Sequence, residues 1–163
     1  MKKIAVVMGS DSDLEVVKKA KDVLDQFGVE CEMHIFSAHR TPDEAKDFAE
    51  NARKNGFGAI IAAAGMAAHL AGAIAANTTL PVVGIPIKAG AFSGLDALLS
   101  TVQMPSGIPV ATVSVDGAVN AGLLCVEMLA INDEELQQKL SDYRATAKQK
   151  VLAKNAEIEK RFI

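Results

Sequence analysis

The chain has 163 residues, of which half are hydrophobic, 4% are aromatic and none is Trp. A chain of this length forms one domain, and its core must be built from closely packed Ala, Val, Ile and Leu. The formal net charge is −3 and there is no cluster of Lys or Arg, which argues against a nucleic-acid partner because a phosphate backbone requires a concentrated basic face. No apolar stretch approaches the roughly 20 residues that cross a bilayer, so we predict no membrane partner.

The two cysteines indicate a reducing compartment. Cys31 and Cys125 lie in apolar segments and lack the CxxC spacing of a metal or redox site. The apolar run at the start of the sequence is too short for a signal peptide, and no cleavage site follows it. We therefore expect a cytoplasmic protein with buried thiols.

The first predicted strand, Ile4–Met8, precedes an amphipathic helix, Leu14–Phe27, that ends at Gly28. Ser12 and Glu15 have the spacing of a capping box at the start of this helix.

The GSDSD sequence between that strand and helix is a candidate phosphate site. Main-chain N–H groups at a helix start bind anions, and Ser10 and Ser12 add hydroxyl donors. Asp13 is then free to accept a hydrogen bond from a sugar hydroxyl. The structural alternative is that Ser12 only caps the helix, while Asp11 and Asp13 only favour its dipole.

The second predicted strand, Cys31–Phe36, leads through SAHRTP into a helix that Thr41 caps. Arg40 can bind an anionic group with two hydrogen bonds, and histidine is the residue type that most often transfers protons in enzymes. This loop should adjoin GSDSD, so we predict that His39 transfers protons; a merely solvated histidine is the alternative.

The third predicted strand, Ala59–Ala63, continues into a segment rich in Ala and Gly. Main-chain amides near Gly65 can bind a carboxylate as an oxyanion hole does, although close helix packing explains most such segments. His69 is placed one turn into the next helix, where a supporting role at the site and a packed, hydrogen-bonded side chain are equally plausible. His34, in mid-strand, is assigned to structure.

Two further apolar runs, Val82–Ile87 and Val110–Val115, complete a series of five. Runs of this kind are typical of strands that are buried on both faces. Strands that alternate with helices predict an α/β fold with a doubly wound parallel sheet, whose ligands bind beyond the carboxyl ends of the strands.

The last segment, 132–163, is predicted to be one helix of roughly 30 residues that follows an α/β core at 1–131. Its apolar stripe runs from Leu136 to Val151, farther than a five-stranded core can cover. We expect a neighbouring subunit to cover the rest, with a frayed tail as the alternative.

Other chemistries lack support in the sequence. The three histidines do not have HxxxH or HExxH spacing, so no metal is predicted. GxGxxG, GxxxxGK[ST] and the GxSxG elbow are absent, which disfavours dinucleotides, ATP and hydrolase chemistry. A triad of Ser10, Asp13 and His39 has no feature that marks the serine as a nucleophile.

Five motifs together resemble the PurE family of purine biosynthesis. They are GSDSD, SAHRTP, GMAAHLAG, SGLDALLSTVQMPSGIPVAT and NAGLL, which occur in order over nearly the whole chain. The resemblance implies a flavodoxin-like three-layer fold, a homo-octamer in which the last helix packs on a neighbour, and no cofactor or metal. It also implies a mutase that moves a carboxylate from the exocyclic nitrogen of a carboxyaminoimidazole ribonucleotide to the adjacent ring carbon.

The same resemblance implies roles for individual residues. Ser10, Ser12 and Arg40 would bind the 5′-phosphate and Asp13 the ribose. His39 would be the general acid and base. Ser37, Gly65 with its loop, and His69 would surround the migrating carboxylate.

Two residues depart from the family pattern, and two alternatives to the mutase remain. Met66 and Ala71 stand where the family commonly has Gly and Pro. One alternative is a carboxylase of the same family that uses carbon dioxide directly; the Arg and Pro of SAHRTP favour the mutase class over it. The other is a ribonucleotide-binding module without catalytic activity.

Overall fold

A computed structural model describes all 163 residues and shows one parallel five-stranded sheet. The strands are β1 (Lys3–Met8), β2 (Cys31–Ile35), β3 (Phe57–Gly65), β4 (Val82–Ile87) and β5 (Ala111–Thr112). The helices are α1 (Leu14–Phe27), α2 (Pro42–Asn51), α3 (Leu70–Ala75), α4 (Leu95–Val102), α5 (Ala118–Ala130) and α6 (Glu134–Phe162). The strand order is β2-β1-β3-β4-β5, so the predicted flavodoxin-like fold is confirmed.

Helices cover both faces of the sheet and divide the core into two clusters. Alternate residues of each inner strand point to opposite faces: Ile4 and Val6 pack with α1 and α5, whereas Ala5 and Val7 pack with α2 and α3. Ala, Val, Ile and Leu supply most of the buried side chains, as composition predicted. This arrangement gives the three layers expected of the fold.

The expectation that all five strands are buried on both faces is wrong for the two edge strands. Residues of β2 are mostly half-buried, and Ile35 is exposed. The fifth strand is reduced to Ala111–Thr112, because it pairs only with Val83 and Gly84 of β4. Apolar runs do not reveal which strand has a neighbour on one side only.

The final helix, α6, extends past the rest of the domain, as its length predicted. Asp133 caps it by accepting a hydrogen bond from Leu136 N at 3.0 Å, and Leu136 is fully buried against the core. Arg144 binds Glu127 of α5 at 2.6 Å. Every residue from 144 to 163 is exposed, so the second half of α6 extends beyond the domain. No helix combines the length and the apolar character that crossing a membrane requires.

Candidate active site

Loops at the carboxyl edge of the sheet enclose a pocket of about 490 Å³. The loops after β1 and β3 flank the point where the strand order reverses, which is where ligands bind in folds of this kind. The structure brings every site residue predicted from the sequence to this pocket: Ser10, Ser12, Asp13, Ser37, His39, Arg40, Gly65 and His69 line it.

The turn after β1 differs from the predicted capping box. A short 3₁₀ turn, Asp11–Asp13, precedes α1, and Ser10 rather than Ser12 caps it by accepting a hydrogen bond from Ser12 N at 3.3 Å. The Ser12 hydroxyl lies 3.0 Å from the Ser10 hydroxyl. The main-chain N–H group of Asp11 makes no hydrogen bond within the chain. This turn therefore combines two hydroxyls with one unpaired amide, which is suitable for an anion.

Asp13 is the buried acid of the site, with 8% of its surface exposed. Burial raises the pKa of its carboxyl group, and the nearby carboxylates of Asp11 and Asp116 act in the same direction. Hydrogen bonds from Ser12 and from the main chain of Ser10 oppose the shift without cancelling it. A buried carboxyl group with few donors gains from a partner such as a ligand hydroxyl.

Arg40 joins the loop after β2 to the turn after β1. Its Nη2 donates to the carbonyl of Gly9 at 3.1 Å, and its main-chain N donates to Ser37 Oγ at 3.1 Å. Thr41 stands at the N-cap position of α2 as predicted but makes no capping bond; instead its hydroxyl accepts from Ser37 N at 2.8 Å. These bonds fold Ser37–Thr41 into a tight turn and hold the Arg40 guanidinium beside the turn that carries Ser10 and Ser12.

The two site histidines come from different loops and stack. The rings of His39 and His69 have centroids 6.1 Å apart and an angle of 14° between their planes. Both side chains are exposed to the pocket, and neither makes a hydrogen bond within the chain. His69 stands at the N-cap position of α3 rather than one turn inside the helix, because β3 runs on to Gly65 and the helix begins later than predicted.

The remaining histidine lies outside the pocket. His34 packs against Phe36 and Phe48, with ring centroids 5.6 and 4.9 Å away. Its Nε2 lies 3.4 Å from a carboxylate oxygen of Glu32, a contact too poorly aligned to count as a hydrogen bond. The expected structural role of His34 agrees with this environment.

The fourth side of the pocket was not predicted from the sequence. Ala89, just after β4, lines the pocket and packs on Gly65: a Cβ built on Gly65 would lie 3.1 Å from Ala89 Cβ. The main-chain N–H groups of Met66, Ala67 and Ala89 make no hydrogen bond within the chain. The rule that ligands bind beyond strand ends applies to β4 as well, and it was the available signal.

Met66 adopts a backbone conformation that favours glycine, with φ of 54°. Its side chain is 60% exposed and lies next to Gly90, in the loop after β4. The residue that departs from the PurE pattern thus contacts the second loop of the pocket wall. Ala71, the other departure, is the second residue of α3 and is buried in the core.

A larger cavity, of about 890 Å³, lies at the opposite edge of the sheet. At its border, Arg53 Nη2 donates hydrogen bonds to the carbonyl and the hydroxyl of Thr79, both at 3.0 Å. No histidine lines it, and it lies beside the start of β4 rather than a strand's carboxyl end. Nowhere do three His, Cys, Asp or Glu side chains come together in a way that could hold a metal ion. The smaller pocket, which contains the two histidines, is therefore the candidate active site.

The fold and this pocket define a doubly wound α/β protein whose ligand site lies at the switch point of the sheet. A family model described as AIR carboxylase matches residues 3–150. The chain belongs to this AIR carboxylase family, and the resemblance to PurE proteins is confirmed.

Individual relatives agree with this family assignment. A Pyrococcus abyssi protein named N5-carboxyaminoimidazole ribonucleotide mutase is 54% identical over 148 residues, covering 91% of this chain and 85% of its own. A Bacillus subtilis protein of the same name is 52% identical over 151 residues, covering 91% and 93%. The crystal structure of Treponema denticola PurE superimposes with a TM-score of 0.86 and 26% identity, covering 94% of this chain and 96% of that one.

Proposed function

We infer that this chain is an N5-carboxyaminoimidazole ribonucleotide mutase of purine (IMP) biosynthesis, an isomerase that yields 4-carboxy-5-aminoimidazole ribonucleotide. The observation that carries this inference is the meeting of the serine-rich turn, Arg40 and His39 around one pocket. The curated relatives with this name, at about half identity over most of the chain, support the same reaction.

The ribonucleotide enters with its phosphate toward the turn after β1. Ser10 and Ser12 supply hydroxyls, the unpaired amide of Asp11 supplies a further donor, and Arg40 supplies a positive charge held against Gly9. Asp13 accepts from a ribose hydroxyl, which satisfies its buried carboxyl group. The imidazole base then reaches the two histidines.

The reaction moves one carboxylate without an external reactant. The bond between the exocyclic nitrogen and the carboxylate carbon breaks, the nitrogen gains a proton, and carbon dioxide forms beside the ring. The nucleophilic ring carbon attacks this carbon dioxide, a carbon–carbon bond forms, and the ring carbon loses its proton. One proton is gained and one is lost, so the overall change is an isomerisation.

His39 is the group that gives the first proton and accepts the second. One imidazole side chain can donate a proton as an acid and then accept one as a base in a single turnover. Ser37, the amides beside Gly65 and the stacked ring of His69 surround the carboxylate in transit. Ala64 and Gly65 line the pocket, and their small size lets the main chain approach the ring closely, so that carbon dioxide is recaptured before it diffuses away.

A substrate test separates the mutase from its alternatives. We expect low concentrations of the protein to convert synthetic carboxyamino ribonucleotide at a much higher rate than aminoimidazole ribonucleotide with bicarbonate. Faster use of the second mixture would indicate a carboxylase that takes carbon dioxide directly. Binding of either compound without product would indicate a binding module.

We also propose that the protein is a homo-octamer in the cytoplasm, with 1–131 as the core and 132–163 packed on a neighbour. Residues 145–163 carry five cations and two anions, a formal charge of +3, whereas residues 1–144 carry twelve and eighteen, a formal charge of −6. This charge complementarity and the exposed Val151, Leu152, Ile158 and Phe162 support packing of α6 on a second copy. The two free cysteines support a reducing compartment.

Point variants test the assembly without shortening the chain. Val151→Asp and Ile158→Asp place charges on side chains that are 66% and 56% exposed within one chain, so each subunit should stay folded. We expect both to dissociate the oligomer in sedimentation or light scattering. Ala153→Asp, which adds the same charge to an exposed residue on the opposite face of the helix, is the control and should leave the assembly intact. Full assembly of both apolar variants would contradict packing through α6.

A further inference from the structure

The turn between β5 and α5 holds the end of β4 by two hydrogen bonds from one residue. Asp116 N donates to the carbonyl of Pro86 at 2.9 Å, and Asp116 Oδ1 accepts from Lys88 N at 2.9 Å. Asp116 has φ of 55°, a left-handed conformation that Asp and Asn adopt more readily than most residues. Its carboxylate thus reaches a neighbouring loop rather than its own helix.

The residue that follows Lys88 forms a wall of the pocket. Ala89 contacts Gly65 across the gap between the loops after β3 and β4, and its main-chain N–H is unpaired. Because the carboxylate of Asp116 fixes the Lys88 amide, it also sets where the Ala89 methyl group and N–H lie.

The residues that follow Lys88 in this loop make few hydrogen bonds. Gly90, Ser93 and Gly94 have φ of 62°, 52° and 91°, and most residues from 88 to 93 are exposed. The main-chain N–H groups of Ala89, Gly90 and Ala91 make no hydrogen bond within the chain. The bond from Lys88 N to Asp116 is therefore the hydrogen bond that ties the start of this loop to the rest of the chain, while its far end is held by the packing of Gly94 on Val115.

We propose that Asp116 is a positioning residue that closes the carboxylate side of the pocket by holding the Lys88–Gly90 loop against Gly65. This rests on the mutase function proposed above, in which carbon dioxide must be recaptured inside the pocket. Asp116 itself does not contact the ribonucleotide. Its contribution is the placement of Ala89, which limits escape of carbon dioxide and aims an amide at the carboxylate.

Asp116 can also affect the site through its charge, and this effect must be distinguished from that of its hydrogen bond to Lys88. Its negative charge acts on Asp13, whose pKa it helps to raise. A loss of function on removing the carboxylate can therefore arise from charge rather than from the hydrogen bond. The side-chain amide of Asn keeps an oxygen acceptor and removes the charge, so Asp116→Asn distinguishes the two.

The matched pair is Asp116→Gly and Asp116→Asn. Glycine accepts φ of 55° without strain, so the first variant removes the acceptor while the turn remains allowed. Both are compared with the unaltered protein at least about 15 °C below the lowest of the three melting temperatures, so that all three are folded during the assay. The readouts are kcat, KM and the fraction of consumed carboxyamino substrate recovered as aminoimidazole ribonucleotide, corrected for decay without enzyme.

For Asp116→Gly we expect kcat to fall between about tenfold and 10²-fold, with KM within about twofold, because the phosphate contacts lie on other loops. The fraction that loses carbon dioxide should rise at least about fivefold. Asp116→Asn should restore both values to within about twofold of the unaltered protein.

Three results would overturn the proposal. One is that kcat, KM and the fraction that loses carbon dioxide are all unchanged in Asp116→Gly, even if its melting temperature falls. Another is equal impairment of the Gly and Asn variants, which would assign the effect to charge. The third is a raised KM with unchanged kcat. Absence of product from the unaltered protein would instead contradict the mutase function itself.

Discussion

The imidazole rings of His39 and His69 lie nearly parallel, 14° apart in plane and 6.1 Å apart between centroids. One ring comes from the loop after β2 and the other from the start of α3, so their pairing depends on the tertiary structure. Neither ring is tied to a protein hydrogen-bond partner. Both therefore keep their nitrogens available to a ligand in the pocket.

Replacing His39 with Asn should lower kcat by about 10²- to 10⁴-fold and leave KM within about threefold, because proton transfer is lost while the phosphate contacts remain. Steady-state kinetics with the carboxyamino substrate measure both constants. His34→Asn, which alters a histidine packed outside the pocket, should retain kcat. Unchanged turnover in His39→Asn would remove this residue from the mechanism.

Arg40→Ala should raise the Kd for the ribonucleotide by about 10- to 150-fold, the range for a lost hydrogen bond to a charged group. Calorimetric titration measures it. Arg53→Ala is the matched control, because Arg53 also donates to a main-chain carbonyl but lies at the opposite edge of the sheet. Equal affinity in Arg40→Ala and the unaltered protein would contradict the phosphate role.

Asp13→Asn should raise the melting temperature at pH 7. Burial is the main reason that the pKa of Asp13 lies above its usual value of 3.8 in the folded protein. The folded state then binds more protons than the unfolded chain between the two pKa values, so the free energy of unfolding falls as pH rises through that interval. The penalty is complete above the folded pKa and absent below the unfolded value.

Thermal melts at pH 7 and below pH 3.8 test this reasoning. The advantage of Asp13→Asn over the unaltered protein should shrink at the lower pH, where the carboxyl group is neutral in both states. Asp22→Asn, at an exposed site on α1, should show no such dependence. An advantage that grows on acidification would contradict the burial argument. The variant should also bind the ribonucleotide less tightly, because a carboxylate acceptor is lost.

Met66→Gly should be more stable than Met66→Ala by about 1 kcal/mol, because glycine adopts φ of 54° without the strain that any Cβ causes. Both variants lose the contact with Gly90, so their comparison isolates the backbone term. Denaturant unfolding measures the difference. Equal stability of the two would mean that this turn relaxes when the side chain is removed.

The site could be predicted in outline because its polar residues follow strand ends. GSDSD and SAHRTP each stand between an apolar run and a helix, and parallel strands bring such segments to one edge of a sheet. Burial of β2 and β5 could not be predicted, because an apolar run has the same pattern at the centre and at the edge of a sheet. The prediction that Ser12 caps the first helix was also wrong, since Ser10 caps a 3₁₀ turn that precedes α1.

The amino-acid sequence by itself determined the alternation of strands and helices, the polar loops that follow β1 and β2, and the overlong α6, because these depend on neighbours along the chain. Only the tertiary structure decided that Ala89 meets Gly65, that Asp116 holds Lys88 from 28 residues away, and that two histidines stack. Such contacts depend on how separate loops are brought together by sheet order and register. No local pattern of residues encodes those distances.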